Sequence, residues 1–135
     1  MCKVKLLNIV NVHDCGNLIN HALAEAQVHG GMSMGIGFGL SEELKLDPKT
    51  GRPLNNNLLD YKLSTFMDHP NLQALFVENP EPTSPYGTKA LGEPPACSPA
   101  PAIRNAVLQA TGVAVDRAPM SPHVLFAAFR EAGLL

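Results

Sequence analysis

The sequence predicts an α+β domain, and three observations carry that expectation. Two runs have strand character, Val4 to Val12 and Leu72 to Glu78. A long, apolar, glycine-rich helical pattern lies between them. Two Ser-Pro pairs near the C-terminal end mark helix starts. With 135 residues, 45% of them hydrophobic, the chain has the length and the apolar content for one domain with a core.

Taken in order, Val4 to Val12 is rich in β-branched residues and is expected to be buried on much of both faces. His13 to Asn17 reads as a turn, with Asn17 a candidate N-cap. From Leu18 to about Leu44 the pattern is helical, with Ile19, Leu23, Ala26, Gly30, Met34 and Gly37 recurring at steps of three and four. Five glycines fall within residues 30–39. Each costs about 1 kcal/mol against alanine in an exposed helix, so something should lie against this backbone, either a cofactor or another stretch of chain. Asp47-Pro48-Lys49-Thr50-Gly51 has turn chemistry and should close a hairpin. A proline-rich connection runs from Asn79 to Ser98, long enough to suggest a functional loop. Ser98-Pro99 should open a helix ending at Gly112, and Ser121-Pro122 another ending at Gly133.

Composition excludes several functions. Ten Lys+Arg against twelve Asp+Glu give a net charge of −2, without the excess of basic residues expected of a duplex-DNA binder. Aromatic residues are 5% and Trp is absent, which argues against a base-stacking platform. No nucleic-acid or membrane partner is expected, since no apolar run approaches a bilayer span and the first residues show no leader pattern. Three widely spaced cysteines, Cys2, Cys15 and Cys97, fit neither a disulfide scaffold nor a zinc ribbon, and the expected location is the cytoplasm.

Four candidate chemistries fail on spacing. The run Gly30 to Gly39 lacks the third glycine of a dinucleotide fingerprint, because Leu40 stands there, and a helix leads into it instead of a strand. Gly87-Thr88-Lys89 does not complete a phosphate-binding loop. His21 and His29 stand eight residues apart on one helix, too far for one ion, so the five histidines read as structural or surface residues and no metal ligand is expected. His13-Asp14-Cys15 does not read as a nucleophilic pair, because neighbours on a turn diverge. Two polar residues remain. Gln27 falls on the glycine-flanked face, where it is either a satisfied core amide or a ligand donor. Glu93, between Gly92 and Pro94-Pro95, is either a rigidly presented general base or an ordinary surface carboxylate.

These stretches, read together, resemble one family. Asn11-Val12-His13-Asp14-Cys15-Gly16, Ala24-Glu25-Ala26-Gln27-Val28-His29-Gly30-Gly31, Met34-Gly35-Ile36-Gly37, Asp60-Tyr61-Lys62 and Gly87-Thr88-Lys89-Ala90-Leu91-Gly92-Glu93-Pro94-Pro95 resemble the molybdenum hydroxylases. That is the xanthine dehydrogenase and aldehyde oxidase family, in the C-terminal part of the molybdenum-binding subunit. The likeness continues through Ala102 to Ala106 and Ala110-Thr111-Gly112, and is similar above all to the bacterial xanthine dehydrogenase branch. His21 and Ser64 replace prolines common in the family, a difference of turn geometry.

The resemblance implies a C-terminal molybdenum-cofactor-binding domain with a long buried glycine-rich helix, a small mixed sheet and two C-terminal helices. It implies one domain, residues 1–135, forming the C-terminal part of a longer subunit. It assigns Gln27, Ala90 and Leu91 to the molybdopterin cofactor, and Glu93 to catalysis as general base. The implied reaction is the oxidative hydroxylation of a purine such as xanthine, or of a related N-heterocycle or aldehyde. Implied partners are the small-molecule substrate, the rest of the molybdenum-binding subunit, and iron–sulfur and FAD-containing domains or subunits that carry electrons away. The isolated chain is expected to be inactive and to self-associate. A non-catalytic remnant or assembly module would share the fold. Without the resemblance, the residues alone would fit a small ligand-binding domain with a glycine-lined groove.

Overall fold

The computed structural model describes residues 2–135. Its sheet is a parallel pair, β1 (Asn8–Asp14) and β2 (Asn71–Val77), in direct register from Asn8↔Asn71 to Asp14↔Val77. β1 starts four residues later than its composition predicts. Continuing the register backward would set Leu7 opposite Pro70, which has no N–H for the ladder. Ile9, Asn11 and His13 face inward with Leu72, Ala74 and Phe76, while Val10, Val12, Leu75 and Val77 are exposed on the outer face. The expected mixed sheet takes the form of this parallel pair plus two isolated antiparallel bridges, Gly16↔Thr88 and Leu46↔Pro53. The second bridge flanks the Asp47–Gly51 turn, in which the Asp47 carboxylate accepts from Lys49 N and Thr50 Oγ1.

Helix α1 (His21–Leu40) is shorter than predicted at both ends. Asn20, and not Asn17, caps it, accepting from Leu23 N at 3.1 Å. At the far end Ser41 N and Glu42 N both turn back to the Gly37 carbonyl. The buried residues are Ala24, Val28, Gly31, Met32, Gly35, Ile36, Gly37 and Gly39. Leu23, Gln27, Gly30, Met34 and Phe38 form an exposed stripe on the other side, so the helix is buried on one face only. Of the expected stripe, Leu23, Ala26, Gly30 and Met34 therefore lie on the outer side, and only Gly37 is buried. A helix nearly free of charge is apolar all round, and spacing cannot say which face turns inward.

What lies against the glycines is polypeptide. Helices α2 (Pro94–Cys97) and α3 (Pro99–Thr111) pack on them so closely that a Cβ at Gly31 would sit 2.5 Å from Pro95 Cβ. One at Gly35 would sit 2.8 Å from both Ala96 O and Pro99 Cγ. The core continues from Ile36 through Ile103, Val107, Val115, Met120 and Leu125, the last on α4 (Pro122–Glu131). α3 and α4 start at the predicted prolines, and Gly112 ends α3 in the left-handed conformation. The serines before them do not cap: the Ser98 hydroxyl donates to Asn11 Oδ1 instead. Among the described residues, no helix is long and apolar enough to cross a membrane.

Candidate cofactor site and its support

The Asn79–Ser98 connection is ordered by the end of β1. Gly16 has a φ of +68°, and a Cβ there would lie 2.2 Å from the Gly87 carbonyl, so both conformation and contact require glycine. Asn17 N donates to that carbonyl at 3.0 Å and Lys89 N to the Cys15 carbonyl at 2.8 Å. The Asn17 side chain donates to Tyr86 O, which is its role in place of the predicted cap. The Lys89 ammonium meets Asp14 at 2.7 Å, and Asn79 donates to the same oxygen. Lys89 first, then the Gly16 N–H and Asn79, hold the Asp14 carboxyl below its ordinary range.

Downstream of this anchor Ala90, Leu91, Gly92 and Glu93 lead into α2, with Leu91 half-buried and the others exposed. Gln27 Nε2 donates to the Gly92 carbonyl at 2.8 Å. That carbonyl belongs to the peptide bond entering Glu93, so two residues 66 positions apart are brought to one place. Gln27 is neither a core amide nor set against the packed glycines, as its sequence neighbours suggest. It lies on the exposed stripe of α1. Glu93 stands in the N-cap position of α2 with helical φ and ψ, and its exposed carboxylate caps nothing.

The remaining polar candidates make their contacts away from Gln27 and Glu93. Buried His13 leaves Nε2 unpartnered, and burial lowers its pKa. His21 packs edge-on against Phe76, and His69 Nε2 lies 3.0 Å from Ser33 Oγ. Burial pushes the Cys15 thiol up, away from nucleophilic character. Among the described residues no three His, Cys, Asp or Glu side chains converge as metal ligands. The surface around Gln27 has room for an organic group: nothing lies within 4 Å of a Cβ built at Gly30 or Gly92, and Gln27 and Ala90 are exposed residues. Asn11 was not singled out by sequence reasoning, although a polar residue inside an apolar strand is a signal. It is 7% exposed, donates to Pro95 O at 3.2 Å and accepts from Ser98.

Residues 1–70 match the family model described as a molybdopterin cofactor-binding domain. This chain belongs to that family, within the molybdenum hydroxylases. It is 54% identical, over its whole length, to the putative xanthine dehydrogenase molybdenum-binding subunit of Escherichia coli K12, covering 18% of that protein. It is 33% identical, over 88% of its length, to the aldehyde oxidoreductase molybdenum-binding subunit of the same strain, covering 16% of it. Quinoline 2-oxidoreductase from Pseudomonas putida 86 superposes with a TM-score of 0.85 at 32% identity, over 93% of this chain and 16% of that one. The chain thus spans less than a fifth of the length of these relatives. The molybdopterin-domain fold places Gln27 and the loop Ala90–Glu93 on one exposed side, next to the unpaired stripe of α1.

Proposed function

We propose that this chain supplies part of the molybdopterin site and the general base of a molybdenum hydroxylase acting in the cytoplasm. Its substrate class is a purine such as xanthine, or a related N-heterocycle or aldehyde. The observation that carries the reading is the Gln27–Gly92 hydrogen bond, which ties the exposed amide of α1 to the peptide entering Glu93. Gln27, with the main chain of Ala90 and Leu91, would hold the cofactor. The molybdenum cofactor, when bound, supplies the redox centre that takes up two electrons.

The rest of the chemistry asked of this chain is proton handling. In the overall reaction the substrate carbon gains an oxygen from water and releases two electrons and two protons. Glu93 accepts a proton at its carboxylate from the water-derived nucleophile. The two prolines after it stiffen its backbone and limit reorganisation. Substrate contacts, the rest of the cofactor site, and the iron–sulfur and FAD groups that carry electrons away come from the remaining subunit and its partners. In this reading residues 1–135 are one domain forming the C-terminal part of that subunit.

Glu93→Gln in the assembled enzyme tests the base. It keeps size and hydrogen bonding but cannot take a proton near neutral pH. General-base contributions run about 10²–10⁴-fold, and loss at the upper end is expected because this base also generates the nucleophile. Turnover per bound molybdenum, with xanthine and with an aromatic aldehyde, is the measurement. Turnover within about tenfold of the parent at full loading is too small a loss for a base of this kind and would leave the carboxylate a structural part.

A further inference from the structure

α2 is four residues long with two prolines, and α3 opens on a third. Ser98 between them keeps helical φ and ψ, so the backbone runs on while the hydrogen-bond ladder does not. In an α-helix the carbonyl of residue i accepts from the N–H of residue i+4. For Pro95 that partner is Pro99, which has no N–H. Pro95 and Pro99 are both fully buried, so water does not take the place of the missing donor. The Asn11 side chain does: Nδ2 donates to the Pro95 carbonyl at 3.2 Å, and Oδ1 accepts the Ser98 hydroxyl at 3.3 Å. Asn11 lies in the middle of β1, 84 residues away in sequence from the carbonyl it satisfies.

Glu93 is the first residue affected by a shift of α2, because its carbonyl holds Ala96 N at 2.9 Å. Gln27 fixes the peptide before it and Asn11 the turn after it. We propose that Asn11 is a positioning residue for the Glu93 carboxylate: its amide stands in for the backbone N–H that Pro99 lacks and locks α2 to β1. The proposal rests on the reading of Glu93 as the base.

A leucine at position 11 keeps the branched shape and heavy-atom count of asparagine but is bulkier and donates nothing, so Asn11→Ser, which adds no volume, is measured beside it. In the assembled enzyme Asn11→Leu should lower kcat by up to about 10²-fold, the cost of roughly 1 Å of misplacement, with KM little changed. Amide exchange at Ala96 to Ser98 should quicken. Pro99→Ala returns an N–H to position 99, so Asn11→Leu made in that background should lose far less kcat relative to Pro99→Ala, and should regain exchange protection relative to Asn11→Leu alone. Asn11→Ser, too short to reach Pro95, gives the same comparison should the leucine variant fail to assemble. Equal losses in both backgrounds would overturn the stand-in role. Faster exchange with normal kcat would overturn positioning while Glu93→Gln remained inactive. Normal turnover in Glu93→Gln marks a different failure, that of the base itself, and removes the positioning role with it.

Discussion

Gln27 commits one half of its amide to the Gly92 carbonyl and leaves the other half exposed beside it. In the proposed reading this gives one residue two jobs, holding the loop that carries Glu93 and offering an acceptor to the cofactor. Gln27→Ala removes both without leaving a buried orphan, since the site is exposed. The expected outcome is lower molybdenum content in the purified enzyme, with turnover of the sites still loaded falling much less than in Glu93→Gln. Metal analysis paired with turnover per molybdenum checks it, and full loading of the alanine variant would contradict it. Gln27 and Glu93 were legible as candidates because each is a polar residue in a constrained setting: an amide among glycines, and a carboxylate before two prolines. Their meeting was not legible. It depends on α2 docking against α1, which no local pattern encodes.

Among the elements, the legible ones are those fixed by chemistry within a few residues. Proline at the first turn and glycine after the last one place α3 and α4 directly. The Asp47 turn is equally local. By contrast, α2 went unpredicted because a proline-rich connection offers no helical period, and its Pro95 carbonyl is satisfied only by a side chain from β1. The inner face of α1 was hidden by apolar residues on every side. Its glycines set the approach of α2 and α3, which yields a prediction about packing. Gly35→Ala puts a methyl 2.8 Å from a backbone oxygen and a buried proline, neither of which moves freely. Higher helix propensity offsets only about 1 kcal/mol. Overpacking costs about 1–3 kcal/mol, so the net effect should be a lower unfolding midpoint. Gly30→Ala, with nothing within 4 Å of the added methyl, serves as control and should leave the midpoint unchanged or raised. A Gly35→Ala midpoint matching that control would show that α2 yields.

At the scale of the molecule, two of the apolar surfaces left uncovered among the described residues bear on assembly. One is the outer face of the sheet, with Val10, Val12, Leu75 and Val77 exposed; the other is the α1 stripe, where Leu23 is 69% and Phe38 61% exposed. Parallel sheets are ordinarily covered on both faces, and two strands alone are marginal. In the proposed reading, further polypeptide of the subunit packs on these faces. Purified alone, the 135-residue chain should therefore bury these faces against copies of itself, and it should not retain molybdenum, because Gln27 and residues 90–93 bound only one side of an open surface. Sedimentation velocity across a range of concentrations should show mass rising with concentration. Lysine at Val12 and Phe38, both exposed, should reduce that association without loss of helical signal. A constant monomer mass at high concentration would mean that the exposed faces are tolerated in water, and stoichiometric molybdenum in the same sample would mean that the chain binds its cofactor without the rest of the subunit.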